Sequence, residues 1–239
     1  MSSLHVHPLE TAIFPVGGNL DEFVHAHVPE TLVRERMILA VTSKIVSLAE
    51  SRLVSPQEID KAALVEREAD IFIGEVGYGC FLTVKEGLFI PSSGIDESNS
   101  ATGDFILYPA EPYESARRLW AALRERWNLK ELGILLTDSH TSPLRKGVTG
   151  ICLSHWGFRG VRNMIGTRDI FGRELMMTKM NLADGLSAAA VLMMGEGNER
   201  RPLAVLEGAD CEFHDMVDAN ELRMPPKDDL YYPFFKRFF

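Results

Sequence analysis

The sequence predicts an α+β fold, and three observations lead there. Compact apolar runs of strand length recur at Met37 to Val41, Leu132 to Leu136 and Leu203 to Leu206. Helical segments stand among them without regular βαβ alternation. No repeat, low-complexity segment or clear linker divides the 239 residues. That length suits one large domain or two interlocked ones, and the chain is read as a single domain, 1–239.

Pro8 to Pro15 reads as a short strand and loop. Asn19 followed by Glu22 marks a helix start, with Leu20, Phe23 and Val24 on its buried face. Met37 to Val41 is a buried strand, with polar Thr42, Ser43 and Lys44 at its carboxyl end. Ser55-Pro56-Gln57-Glu58 combines N-cap, N1 proline and N3 glutamate, so a helix is expected from there to near Asp70. Gly74, Gly77 and Gly79 mark a loop. Phe81 to Val84 and Leu88 to Ile90 form a hairpin across Lys85-Glu86-Gly87, and Phe105 to Tyr108 is a further strand.

Ala116, Leu119, Trp120, Leu123 and Trp127 recur at helical spacing after Pro112. Leu132 to Leu136 leads as a buried strand into Asp138. Leu182 to Met194 is helical, with Gly195 its natural C′ residue, and Leu203 to Leu206 is a strand. The tail from Tyr231 to Phe239 is too aromatic to stand in water and is expected to dock, on its own domain or on a partner subunit.

Hydrophobic content of 46% and charged content of 25% are those of a soluble globular protein. A net charge of −9 argues against broad nucleic-acid binding, which rests on a basic surface. Three cysteines without paired metal-ligand spacing, and no basic-then-apolar leader, point to reduced thiols in the cytoplasm. Leu186 to Met194, the most apolar stretch, is too short to span a bilayer.

Neither a P-loop, a dinucleotide fingerprint, H-E-x-x-H nor G-x-S-x-G occurs. What does stand out is a set of carboxylates and hydroxyls on separate segments. Ser93 to Asn99 is a polar turn holding Asp96, Leu135 to Ser139 ends a strand in Asp138 and Ser139, and Met194 to Gly197 sets Glu196 between glycines. Hard oxygen donors of this kind hold divalent cations, and Lys44, Arg145 and Lys146 could add phosphate contacts. The residues alone leave the alternative open: an Asx-turn at Asp96, a cap at Asp138, an exposed Glu196 and a solvated basic loop.

The order of motifs resembles the coenzyme F420:L-glutamate ligase family, also called F420-0 gamma-glutamyl ligases, over nearly the whole chain. Pro8-Leu9-Glu10 with Gly17 to Leu20 resembles its P-x-E-G and G-D-D-L. Ser43 to Arg52 resembles S-K-x-x-S-K-A-E-G-R, and Gly94 to Asn99 resembles G-I-D-x-S-N. Thr137-Asp138-Ser139 stands for T-D-T and Arg145-x-Gly147 for R-x-G. Gly166 to Leu175, Ala183-Asp184 and Met194 to Gly197 follow in order.

The resemblance implies a ligase that joins L-glutamate to a small carboxylate acceptor, with GTP as co-substrate and a divalent metal, Mg or Mn. It implies an intertwined homodimer with a gamma-glutamyl-ligase-like mixed fold, while the net charge and the short apolar stretch already argue against a nucleic-acid or membrane partner. Residue by residue, it makes Asp96 and Asp138 catalytic as ligands of one metal, and gives Ser139 and Glu196 to a second. Ser43, Lys44, Asn99 and Arg145 fall to the nucleotide, with the Ile13-Phe14 backbone nearby. The chain departs from the pattern at Leu48 and Ser51, at His140 to Pro143 and at Cys152 to Phe158. Retained carboxylates with altered surroundings imply an acceptor other than the coenzyme F420 precursor, with Trp156 as an apolar or stacking surface for it. The rival expectation is a catalytically silent homologue that binds nucleotide and metal.

Overall fold

The computed structural model describes residues 3–239. Along the chain run β1 (His5–Leu9), α1 (Leu20–His27), β2 (Met37–Thr42), α2 (Ser43–Ala49), β3 (Leu53–Val54) and α3 (Lys61–Glu68). Then come β4 (Ile71–Gly77), β5 (Cys80–Lys85), β6 (Leu88–Pro91), β7 (Phe105–Ile106), α4 (Pro112–Arg126), β8 (Leu132–Thr141) and β9 (Val148–Trp156). The last are β10 (Val161–Asn163), β11 (Lys179–Asn181), α5 (Leu182–Met194), β12 (Leu203–Glu207) and α6 (Tyr232–Phe235). Helices and several sheets mix as the α+β expectation has it.

The central sheet has the order β1-β12-β2-β8-β9, and within it only β2 and β8 are parallel neighbours. Its inner strands are apolar at successive positions because helices cover both faces. Leu39, Val41, Ile134 and Leu136 pack with Val24 of α1 and with Ala116, Leu119 and Leu123 of α4. Ile38, Ala40, Leu135 and Ala204 point the other way, onto Ala183, Leu186, Ala190 and Met194 of α5. A second, three-stranded sheet, β4-β5-β6, lies beside α3, with Leu64, Val65, Ile95, Phe105 and Leu107 forming their own core.

Local signals fix several boundaries. Asn19 caps α1 by accepting the Glu22 amide at 3.0 Å, and Gly195 closes α5 with φ of +87°. Glu86 and Gly87 both take positive φ in the tight turn between β5 and β6.

Elsewhere the structure corrects the expectations. Ser55 does not start a helix: Asp60 does, accepting the Ala63 amide at 3.1 Å, five residues nearer the apolar pair Leu64 and Val65. Of the glycines expected to mark a loop, Gly74 and Gly77 lie in β4, whose register shifts at Phe72/Gly74 and Glu75/Gly77 place glycine in the bulges, while Gly79 lies in the turn to β5 as expected. The strand at Phe105 is paired only as far as Ile106. Strand β9 and helix α2 were not anticipated. In the tail, Phe235 reaches Phe89 with ring centroids 6.2 Å apart, while Tyr231 and Phe234 stay exposed. Among the described residues no helix is long and apolar enough to cross a membrane.

Candidate active site

Strands β2 and β8 run in register as far as Thr42 opposite Thr137. There β2 gives way to α2 at Ser43, while β8 continues to Thr141 with β9 as its neighbour. Carboxyl ends of parallel strands are where mixed sheets present binding groups. Ser43 and Lys44 follow one strand, and Asp138 and Ser139 stand on the other.

The turn after β6 supplies Asp96. Ser93 and Gly94 both take positive φ there, and the Asp96 backbone exchanges hydrogen bonds with Ile106 at 2.9 and 2.8 Å. Its Oδ2 lies 2.5 Å from Lys44 Nζ, and its Oδ1 accepts the Ser98 amide at 2.6 Å. Lys44 Nζ also donates to Ser98 Oγ at 3.2 Å. Glu196, directly after the cap of α5, completes the group, since it interacts with Ser139, Lys44 and Asp96.

Electrostatics separates these acids. Burial pushes the Asp138 carboxyl up to about 6, Asp96 adds to the rise, and the Tyr108 hydroxyl, the Ser139 amide and Lys44 oppose it. Burial also acts to raise Asp96, but the hydrogen bond and charge of Lys44, together with the hydrogen bonds of Ser98, outweigh it and hold Asp96 below the ordinary value. Glu196 is raised, first by desolvation and then by Asp96 and Glu199, against the pull of Ser139 and Lys44.

Carboxylates and a hydroxyl from three segments are the donor types that suit a hard divalent cation, whose charge would relieve the acids that burial disfavours. As the side chains stand, no group of three or more His, Cys, Asp or Glu among the described residues could hold a metal ion. The Lys44 ammonium is the cation that Asp96 meets here.

Five of the expected residues therefore come together: Lys44, Asp96, Asp138, Ser139 and Glu196. Ser43 is buried beneath them, its carbonyl accepting the Ser47 hydroxyl. Asn99 is exposed in the Asp96 loop, in a left-handed conformation. The stretch with Ile13 and Phe14 is tied to Arg200 through the Thr11 amide and to Leu48 through the Gly17 amide. Ile13 is exposed, whereas the Phe14 side chain is buried against Phe23. Arg145 lies exposed in the turn joining β8 and β9, and no contact draws it to the acids.

One expectation fails on geometry. Trp156 opposes Ile134 while Asp138 opposes Ile151, so Trp156 sits four strand residues away from Asp138's level, about 13 Å. Its ring packs near Trp120, 6.5 Å away, on the α4 side of the core. His155 is fully buried with Nε2 3.1 Å from Glu221 Oε2, and Leu48 packs on the same core as Trp156. All three take part in packing. Sequence reading also missed Tyr108, whose hydroxyl donates to Asp138 Oδ2. Nothing in the apolar run Phe105 to Tyr108 distinguishes that phenol from a core aromatic.

Residues 8–208 match the sequence profile described as F420-0:Gamma-glutamyl ligase. The chain belongs to this family. It is 31% identical to the coenzyme F420:L-glutamate ligase of Methanopyrus kandleri, over 94% of this chain and 95% of that one. The protein of the same name from Methanococcus maripaludis is 27% identical over 89% and 92% of the two chains. That of Methanosarcina mazei is 30% identical over 75% and 78%. The F420-0:gamma-glutamyl ligase match takes in all four segments that meet at the acids, from the Lys44 turn to Glu196.

Proposed function

We propose that this protein is a GTP- and divalent-metal-dependent amide ligase that joins L-glutamate to a small-molecule carboxylate. The observation that carries the reading is the convergence of Lys44, Asp96, Asp138, Ser139 and Glu196 where β2 and β8 end. Asp96 and Asp138 would hold one metal, and Ser139 with Glu196 a second. A bound cation supplies charge neutralisation for the phosphates. Lys44 is assigned to the terminal phosphate, and Ser43, Asn99 and the exposed Arg145 of the β8–β9 turn to the rest of the nucleotide.

In this reading the acceptor carboxylate attacks the γ-phosphorus, giving an acyl phosphate and GDP. The amine of L-glutamate then attacks the acyl carbon, forming the amide as phosphate leaves and the amine loses its proton. Of the departures from the family pattern, His140 to Pro143 directly continue the strand that carries Asp138 and Ser139. Acceptor choice is assigned to them, and the deazaflavin precursor of coenzyme F420 is proposed to be a poor acceptor.

The protein is further proposed to act as a homodimer. The two-stranded arm made by β10 and β11 carries Ile170 at 93% exposure and Phe171 at 79%, with Met176 and Met177 also exposed. An apolar surface of that kind suits a partner subunit.

The deciding experiment incubates the protein with deazaflavin precursor, L-glutamate, GTP and Mn2+, followed by mass spectrometry and GDP assay. Metal-dependent GTP binding with little glutamylated precursor is expected. Efficient product would return the acceptor to the F420 precursor. Metal-dependent GTP binding without GDP release for any carboxylate tried would leave a silent homologue, and loss of GTP binding altogether would remove the ligase reading.

A further inference from the structure

Three connections converge on the short extended segment from Phe105 to Tyr108. At Ile106 the backbone is paired in both directions with that of Asp96. Two residues on, the Tyr108 hydroxyl donates to Asp138 Oδ2. Between them the Leu107 amide donates to the Arg52 carbonyl at 3.0 Å, and Arg52 Nε returns a bond to the Tyr108 carbonyl, also at 3.0 Å. Arg52 is itself held by Glu68 of α3 at 3.2 Å. One short segment thus holds both acids on which the proposed metal site depends, Asp96 through its backbone and Asp138 through a side chain.

The phenol ring has little room to move. Tyr108 is 4% exposed and packs with Ile90 and Leu153. On another side lies Gly94, where an added Cβ would fall 2.1 Å from Tyr108 Cζ. Gly94 also holds a φ of +69°, so the turn that leads to Asp96 can lie against the ring only as glycine.

We infer that Tyr108 is a positioning residue for the metal site: it commits one oxygen of Asp138 to its hydroxyl and, with Ile106, sets the spacing between Asp138 and Asp96. A carboxylate tied in this way has its plane held in one orientation, with Oδ1 left to meet a cation. Outer partners of metal ligands act by fixing the ligand's orientation, and losing one typically lowers metal affinity roughly 10- to 100-fold. The inference rests on the metal-dependent reading proposed above.

The test titrates Mn2+ into wild type, Tyr108→Phe and Asp138→Asn, following binding by calorimetry and the bound ion by electron paramagnetic resonance. Tyr108→Phe removes one oxygen and keeps the ring. It is expected to weaken Mn2+ binding roughly 10- to 100-fold and to change the spectrum of the bound ion. Wild-type affinity and spectrum in Tyr108→Phe, alongside lost binding in Asp138→Asn, would overturn the positioning role and leave the metal site standing. Wild-type binding in both variants would overturn the two together. A measurement on the unaltered protein guards against a misfolded variant: the carbon-13 resonance of Tyr108 Cζ should shift on saturation with Mg2+. A resonance that Mg2+ leaves in place would also refute the role.

Discussion

Lys44 Nζ stands 2.5 Å from Asp96 Oδ2, so the acid expected to hold a metal is paired with the base expected to hold a phosphate. Cation and ammonium compete for the same carboxylate. Lys44→Met should therefore weaken GTP binding roughly 10- to 100-fold, the worth of a charge-assisted contact, while binding Mn2+ alone at least as tightly as wild type. Calorimetry with each ligand separately checks the two directions. A parallel loss of both affinities would show that Lys44 only supports the loop.

Asp138 gives a prediction about pH. Its carboxyl titrates near 6 in the folded protein, above the ordinary value, so the folded state binds the proton more tightly than the unfolded chain. Stability from this group is present at low pH and is lost as pH rises toward and through 6. With a chelator present, Asp138→Asn should gain on the order of 1–3 kcal/mol over wild type at pH 7.5, and little at pH 4. Thermal melts at the two pH values measure this. The same variant should lose metal-dependent GTP binding, and unchanged affinity would take Asp138 out of the site.

The exposed arm and aromatic tail predict a dimer. Light scattering at micromolar concentration should report about twice the chain mass of 26.7 kDa. A mass near that of one chain would exclude it.

Asp60 tests the cap of α3, whose first residue, Lys61, pairs with Glu97 beside Asp96. As the N-cap of α3 it should contribute about 1 kcal/mol, so Asp60→Ala should lower the melting temperature while Mn2+ affinity stays at the wild-type value. Ser55→Ala, at the cap that sequence favoured, should cost less.

Where a signal is local, the sequence revealed the element. The boundaries of α5 follow from an apolar helical run and its closing glycine, and α4 from Pro112 and the spacing of Ala116, Leu119 and Leu123. Strand β9 was hidden because Thr149, Gly150, Ser154 and His155 interrupt its apolar run, and pairing with β8 defines it. At Ser55 two caps competed, and the one nearer the buried Leu64 and Val65 prevailed. Asp96, Asp138 and Glu196 stand out in the sequence as oxygen donors on separate segments, but each residue singly fits a turn or a cap better, and the family resemblance is what gives them roles. The phenol at Tyr108 had no signature, since its partner lies 30 residues on, across the fold.

Strand β8 outruns β2 by four residues, so from Asp138 onward it continues with β9 as a two-stranded ribbon ending in the turn that bears Arg145. Above the Asp138 level no side chain of that ribbon belongs to the two cores flanking the central sheet, except where β9 returns to it. The ribbon tip is thus a replaceable cartridge: residues 140–149 can be exchanged for those of a relative with the acids left in place. A chimaera of that kind should refold as the parent does and carry across the donor's choice of acceptor.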